Sequence, residues 1–214
     1  MEAWDLGSGS QVELPFARNI DYVAKLTLGN YKGRAIVAIA NQHDEIQVWD
    51  IESSKPFCPP LSGHDGCLGL ILVLPNIEKE DLAFDSSEPS IVCGGTDGKV
   101  RIWSLINCRL MNEIADGERS ITAISSLVIE ESIKIVTGSE DGSIRIWDQT
   151  TGNAEGLPLN GHSHEVTALA NATLDDEPVI ISGSLDGTIR AWDPITGCQK
   201  RRILRGHENG VTSL

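Results

Sequence analysis

The stretch Glu140-Asp141-Gly142-Ser143-Ile144-Arg145-Ile146-Trp147-Asp148 decides the fold. Asp-Gly followed by alternating β-branched residues reads as a tight hairpin turn entering a strand. Two close copies exist, Thr96-Asp97-Gly98-Lys99-Val100-Arg101-Ile102-Trp103-Ser104 and Leu185-Asp186-Gly187-Thr188-Ile189-Arg190-Ala191-Trp192-Asp193. Working outward, the five tryptophans are Trp4, Trp49, Trp103, Trp147 and Trp192, at spacings of 45, 54, 44 and 45 residues. All but Trp103 are followed by Asp. Self-similarity at such a period is the mark of a repeat architecture.

A second anchor fixes the register. Nineteen residues after Trp147 comes Val166-Thr167-Ala168-Leu169, and nineteen after Trp192 comes Val211-Thr212-Ser213-Leu214. The same offset gives Val23-Ala24-Lys25-Leu26 and Leu68-Gly69-Leu70-Ile71, and an offset one shorter gives Ile121-Thr122-Ala123-Ile124. Each repeat is therefore expected to carry four short strands: this one, a second such as Pro178–Ser182, the Trp strand and a weaker outer strand. No helical period is visible, so the expected class is all-β. The long 54-residue spacing places nine extra residues between the first and second strands of one repeat, within the acidic stretch Leu74–Ser87. A long loop on a rigid scaffold is a natural place for contact.

Composition narrows the function classes. Hydrophobic residues make up 40% and charged residues 22%, which excludes wholesale disorder. The net charge is −14 and the pI about 4.7, so the surface repels nucleic-acid phosphates and anionic lipid. Lys200-Arg201-Arg202 is too short to reverse that. The first residues, Met1-Glu2-Ala3-Trp4-Asp5, do not read as a signal peptide, and the longest apolar run, Cys67–Leu74, is far short of a membrane span. A soluble, cytoplasmic chain is expected, with no nucleic-acid and no membrane partner. Cys58, Cys67, Cys93, Cys108 and Cys198 are odd in number, and no two have zinc-knuckle spacing. They read as reduced thiols. His162-Ser163-His164 lacks a partner cluster, so no metal and no cofactor are expected. Cys93 and Val100 stand where a Walker loop needs Gly and Ser or Thr, so Gly94–Lys99 is not a phosphate loop.

The pairs Gly63-His64, Gly161-His162 and Gly206-His207, together with the Trp-Asp pairs, resemble WD40 repeats over nearly the whole chain. The resemblance implies a β-propeller of four-stranded antiparallel blades. On that reading a partial blade spans 1–18 and four complete blades span about 19–62, 63–115, 116–160 and 161–205. The start of another follows at 206–214, an open arc whose ring is completed by self-association or by further blades. The Thr-Ala-Leu strands and acidic loops also resemble tandem WD arrays of bacterial multidomain proteins.

In the family, a His before the first strand, a Ser or Thr on the second, the turn Asp and the Trp form a hydrogen-bonded tetrad. Carried over residue by residue, His162, Ser182, Asp186 and Trp192 complete it. His64, Asp97 and Trp103 match in the second full blade, where Cys93 replaces the hydroxyl. Thr137, Asp141 and Trp147 match in the third, where Gly117 stands in for His. The first keeps only Trp49, with Asn19, Ile39 and His43 in the other places, and is expected to have the least regular turn. A triad-like His, Ser and Asp that recurs once per blade with members exchanged suits a structural clasp, not a nucleophilic centre. The first strands offer the channel no carboxylate, His or Cys, so no catalytic residues are expected. The Asp-Gly turns and Gly-His loops share a face, on which Arg119, Glu140, Glu165 and Leu185 are the candidate partner-binding residues. The expected function is a non-catalytic protein-interaction scaffold. The competing reading is a sensor or assembly module of a longer multidomain signalling protein with its catalytic domain elsewhere.

Overall fold

The computed structural model describes residues 3–4, 10–12, 23–41, 44–63, 66–73, 89–115, 117–130, 132–175, 177–200, 202–205 and 210–214. Every regular element among them is a strand. A short antiparallel pair, β1 (Ala3–Trp4) and β2 (Gln11–Val12), comes first. The first large sheet holds β3 (Lys25–Tyr31), β4 (Arg34–Ala40) and β5 (Glu45–Asp50). Its outer edge is in two pieces, β6 (Lys55–Pro56) and β7 (Leu61–Ser62), both paired with β5. The second sheet runs β8 (Cys67–Val73), β9 (Ser90–Gly95), β10 (Lys99–Ser104) and β11 (Leu110–Ala115). The third holds β12 (Ile121–Ile129), β13 (Ser132–Ser139) and β14 (Ile144–Asp148). The fourth runs β15 (Val166–Leu174), β16 (Glu177–Ser184), β17 (Thr188–Trp192) and β18 (Leu204–Arg205). Each is an antiparallel meander in chain order, the blade of a propeller. The long acidic stretch Leu74–Ser87 lies outside the described residues.

The outer strand is where the blades differ. In the third it shrinks to the bridges Trp147↔Ala154 and Ile144↔Leu159. Gly156 and Pro158 lie between them, and Pro59-Pro60 split the first blade's outer strand in the same place. Proline has no N–H to give a ladder, so pairing lapses there and resumes beyond it.

The core lies between blades. Alternate residues of β9 and β10 face opposite neighbours: Ile91, Cys93 and Trp103 join Ile36, Ala38, Ile46 and Val48 of the first blade. Val92, Val100 and Ile102 instead meet Ile121, Ile135 and Trp147 of the third. Val136, Ile144 and Ile146 then meet Val166, Ile180 and Trp192 of the fourth. Each of these tryptophans thus inserts into the blade before it, and truncating one to Ala removes about 3–5 kcal/mol. Both faces of a blade are buried, which is why β9 is buried at every position and does not alternate with solvent.

Close approach demands glycine nine residues before each of these tryptophans. A Cβ on Gly138 would lie 2.5 Å from Val166 Cγ1, and one on Gly183 would lie 2.5 Å from Val211 Cγ1. Gly94 meets Ile121 in the same way. The successive first strands β3, β8, β12 and β15 are neighbours. Hydroxyls also join blades, because Thr122 Oγ1 donates to the Val166 carbonyl at 2.6 Å and Thr167 repeats the contact on Val211.

Candidate functional site

The fourth blade brings all its predicted tetrad residues together. Asp186, an acceptor only, lies 3.0 Å from His162 Nδ1, which places the ring proton on that nitrogen. His162 Nε2 then accepts from Ser182 Oγ at 2.7 Å, and the same oxygen accepts the Trp192 indole N–H at 2.8 Å. Asp186 also accepts the backbone N–H of Ser163 (3.1 Å) and Thr188 (2.9 Å). Burial pushes the His162 pKa down, which outweighs the opposing pull of Asp186, so the ring stays neutral. Burial acts to raise the Asp186 pKa, but donors from Thr188, Ser163 and His162 hold it far below the usual carboxylate range. The chain of donors runs from indole to carboxylate and ends there. The tetrad residues are buried or nearly so, and the hydroxyl that a nucleophile would need is engaged on both sides.

The other blades hold partial versions. In the third, Trp147 Nε1 donates to Thr137 Oγ1 at 3.0 Å. With Gly117 in the His place, Asp141 caps its own turn by accepting the Ser143 N–H at 2.9 Å, and Arg145 and Arg119 bear on it electrostatically. In the second, Arg101 reaches Asp97 at 2.7 Å and Glu113 at 2.8 Å, and Cys93 is buried beside Trp103. His64 lies outside the described residues, as do Asn19 and His43. The first blade's turn is the odd one. Asp44 sits where the others have Gly98, Gly142 and Gly187, with φ of 58°, and its carboxylate accepts the Gly66 N–H at 2.8 Å.

The residue after each Trp caps the turn that follows. Asp148 accepts the N–H groups of Thr150 (3.1 Å) and Thr151 (2.8 Å) and pairs with Lys134 at 2.9 Å. Burial would raise its pKa, but the Lys134 and Thr151 donors prevail and hold it at about 2. Ser104 serves the second blade, accepting the Ile106 N–H at 3.1 Å. Ser90 faces Ser104 across the ladder where Lys134 faces Asp148, so a neutral cap suits a place with no cation opposite.

The predicted binding residues occupy an inner rim built by backbone pairing. Glu140 N–H donates to the Ser120 carbonyl and Leu185 N–H to the Glu165 carbonyl, both at 3.0 Å, and Thr96 N–H donates to the Gly66 carbonyl at 2.9 Å. Thr96, Glu140 and Leu185 are equivalent, and all three are exposed. Arg119 is exposed too, while Glu165 is half-buried. The turns nest on the next blade's loop: a Cβ on Gly142 would lie 2.7 Å from the His162 carbonyl oxygen. Gly98 is packed against the Gly117 and Arg119 carbonyls in the same way. Rim positions on adjacent blades are therefore locked relative to one another. Sequence reading missed the Gly94, Gly138 and Gly183 contacts and the role of Asp44. The glycine recurrence nine residues before Trp was the available signal. Among the described residues no group of three or more His, Cys, Asp or Glu is placed to hold a metal ion. No helix among them is long and apolar enough to cross a membrane.

Antiparallel meander blades, stacked face to face through shared cores, define a β-propeller-type repeat protein. The family model for the WD domain, G-beta repeat, matches residues 78–104, 116–148 and 156–193. The chain is a WD40-repeat protein. It is 24% identical over 149 residues to Autophagy-related protein 16 of Arabidopsis thaliana, covering 69% of this chain and 26% of that protein. It is 25% identical over 126 residues to WD repeat-containing protein 18 of Danio rerio, covering 54% and 26%. It is 27% identical over 90 residues to Small ribosomal subunit protein RACK1y of Oryza sativa subsp. japonica, covering 42% and 24%. The chain thus spans about a quarter of the length of these relatives. The crystal structure of the computationally designed Ika8 protein superposes with a TM-score of 0.69 at 26% identity, over 99% of this chain and 57% of that one. That of the designed Ika4 protein gives 0.55 at 28% identity, over 72% and 81%. WD40-repeat proteins typically act as protein-interaction scaffolds.

Proposed function

We propose that this chain is a non-catalytic, cytoplasmic scaffold that presents its Asp-Gly turn face to a partner protein through Arg119, Glu140, Glu165 and Leu185. The tetrads of His162, Ser182, Asp186 and Trp192, and of their partial counterparts, act as structural clasps behind that face. The observation that carries this reading is the repeated pairing that holds Thr96, Glu140 and Leu185 at one place on successive blades with their side chains exposed. A rim ordered before binding loses little conformational entropy when a partner docks. Exposed acid and an exposed Leu, on a chain of net charge −14, suit a partner surface that joins basic and apolar side chains.

A photo-crosslinking residue at Glu140 or Leu185 is expected to capture the partner, whereas one at outer-edge Arg109 is not. Replacing the four rim residues by Ala is expected to weaken that complex at least tenfold with the fold intact. Equal capture from both edges, or unchanged affinity, places the site elsewhere. A second reading, an assembly module of a longer multidomain protein, is favoured by the chain matching only about a quarter of its relatives' length.

A further inference from the structure

Two positions recur at every described blade junction. The fifth residue after Trp is Ser54, Cys108, Gly152 and Gly197 in the four blades, and each has positive φ, at 51°, 58°, 71° and 70°. At the last three, that residue's N–H donates to the carbonyl four residues back, at 3.0, 2.8 and 2.9 Å. Nine residues after Trp lie Cys58, Asn112 and Gly156 in the first three blades. At the first two junctions the ninth-residue position of one blade meets the fifth-residue position of the next, and at the third both positions line one groove.

What fills the pair differs by junction. Between the second and third blades, Asn112 lies against Gly152, where a Cβ would be 2.5 Å from Asn112 Nδ2. Between the third and fourth, Gly156 and Gly197 leave an open groove of about 670 Å³, with Leu157, Pro158 and Ile195 on its walls. Between the first and second, both positions are cysteine. Cys58 is buried, and Cys108 packs half-buried against the same cluster, near enough for the two thiols to influence each other. A side chain at φ of 58° is disfavoured relative to glycine. The second blade carries that strain to place a thiol where the third and fourth blades have none.

We propose that Cys58 and Cys108 are a paired oxidation site, closing into a disulfide that staples the first and second blades along their outer edge. The thiols are free in this structure, which is the reduced form. The oxidant is a low-molecular-weight disulfide. The half-exposed Cys108 thiolate attacks one of its sulfurs and expels one thiolate, leaving a mixed disulfide on Cys108. Cys58 then gives its proton to solvent, and its sulfur attacks that of Cys108, expelling the second thiolate. Two protein thiols are oxidised and one external disulfide is reduced to two thiols. Burial holds the Cys58 thiol well above its ordinary range, so closure accelerates about tenfold per pH unit near neutrality.

The test uses the full chain with exposed Cys198→Ser, incubated with oxidised glutathione. The expected product is 2 Da lighter than the reduced protein, with peptides bearing residues 58 and 108 joined and no glutathione retained. Its thermal midpoint rises by roughly 5–10 °C and returns on reduction. Cys58→Ser is expected to stop at a stable glutathione adduct on Cys108. Cys108→Gly, the residue of the equivalent turns, is expected to fold and form neither product. A stable adduct on Cys108 with Cys58 still free in the parent, a linkage through other cysteines, or an unmoved midpoint overturns the proposal.

Discussion

Ser182 is the hinge of the tetrad, since one hydroxyl oxygen both accepts from Trp192 and donates to His162. Removing it strands a buried indole N–H and a buried imidazole nitrogen together. Ser182→Ala is therefore expected to cost about 2–3 kcal/mol, read by urea denaturation. The same arrangement sets a pH dependence. The folded-state pKa of His162 is lowered below 6.5, so the unfolded chain takes up the proton first. The stability that neutral His162 contributes is complete above pH 6.5 and is lost as pH falls below it. Protonation turns Nε2 from acceptor to donor and leaves the Ser182 proton without its acceptor. Between pH 7 and 5 the stability of the wild-type chain should fall more steeply than that of His162→Asn. Matching slopes would show that this His carries no linkage. Only half of this was legible beforehand. The spacing of His162, Ser182, Asp186 and Trp192 is written in the chain, but the direction in which donors run depends on burial and on which nitrogen meets the carboxylate.

Blades are amphipathic on neither face, and this changes what a strand's sequence reveals. The Asp-Gly turns and Trp spacings were plain because turn chemistry is local and the repeats are long. The blade-to-blade contacts were not, because their partners lie about 28 residues away, as Gly138 and Val166 do, and no strand alternation marks them. Likewise Cys58 and Cys108 stand 50 residues apart in the chain, and no local pattern announces that they share one cluster. The Gly138 contact makes a definite expectation. Gly138→Ala places a methyl against Val166 Cγ1 and should cost about 2–3 kcal/mol. Val166→Ala alone opens a cavity and should cost about 1–2 kcal/mol. Because each change relieves the other, the double variant should recover at least 1 kcal/mol of the summed loss. Strict additivity in equilibrium unfolding would mean that the two blades do not meet through this pair.

At the scale of the whole molecule, charge and shape would divide the work of recognition in the scaffold proposed above. A chain of 23.1 kDa with net charge −14 has a long-range field that attracts basic partners before any contact forms. The rim is different in kind: Leu185 is 45% exposed and its backbone is pinned to Glu165, so it acts only at contact distance. The field is screened over about 8 Å at physiological ionic strength, whereas apolar contact is nearly indifferent to salt. Raising salt from about 20 to 200 mM should therefore slow association with a basic partner by roughly tenfold and leave dissociation almost unchanged. Leu185→Ala should do the reverse, speeding dissociation with little effect on association. Stopped-flow mixing at several salt concentrations separates the two. An association rate indifferent to salt would remove steering from the account, and a Leu185 variant with wild-type dissociation would remove the rim.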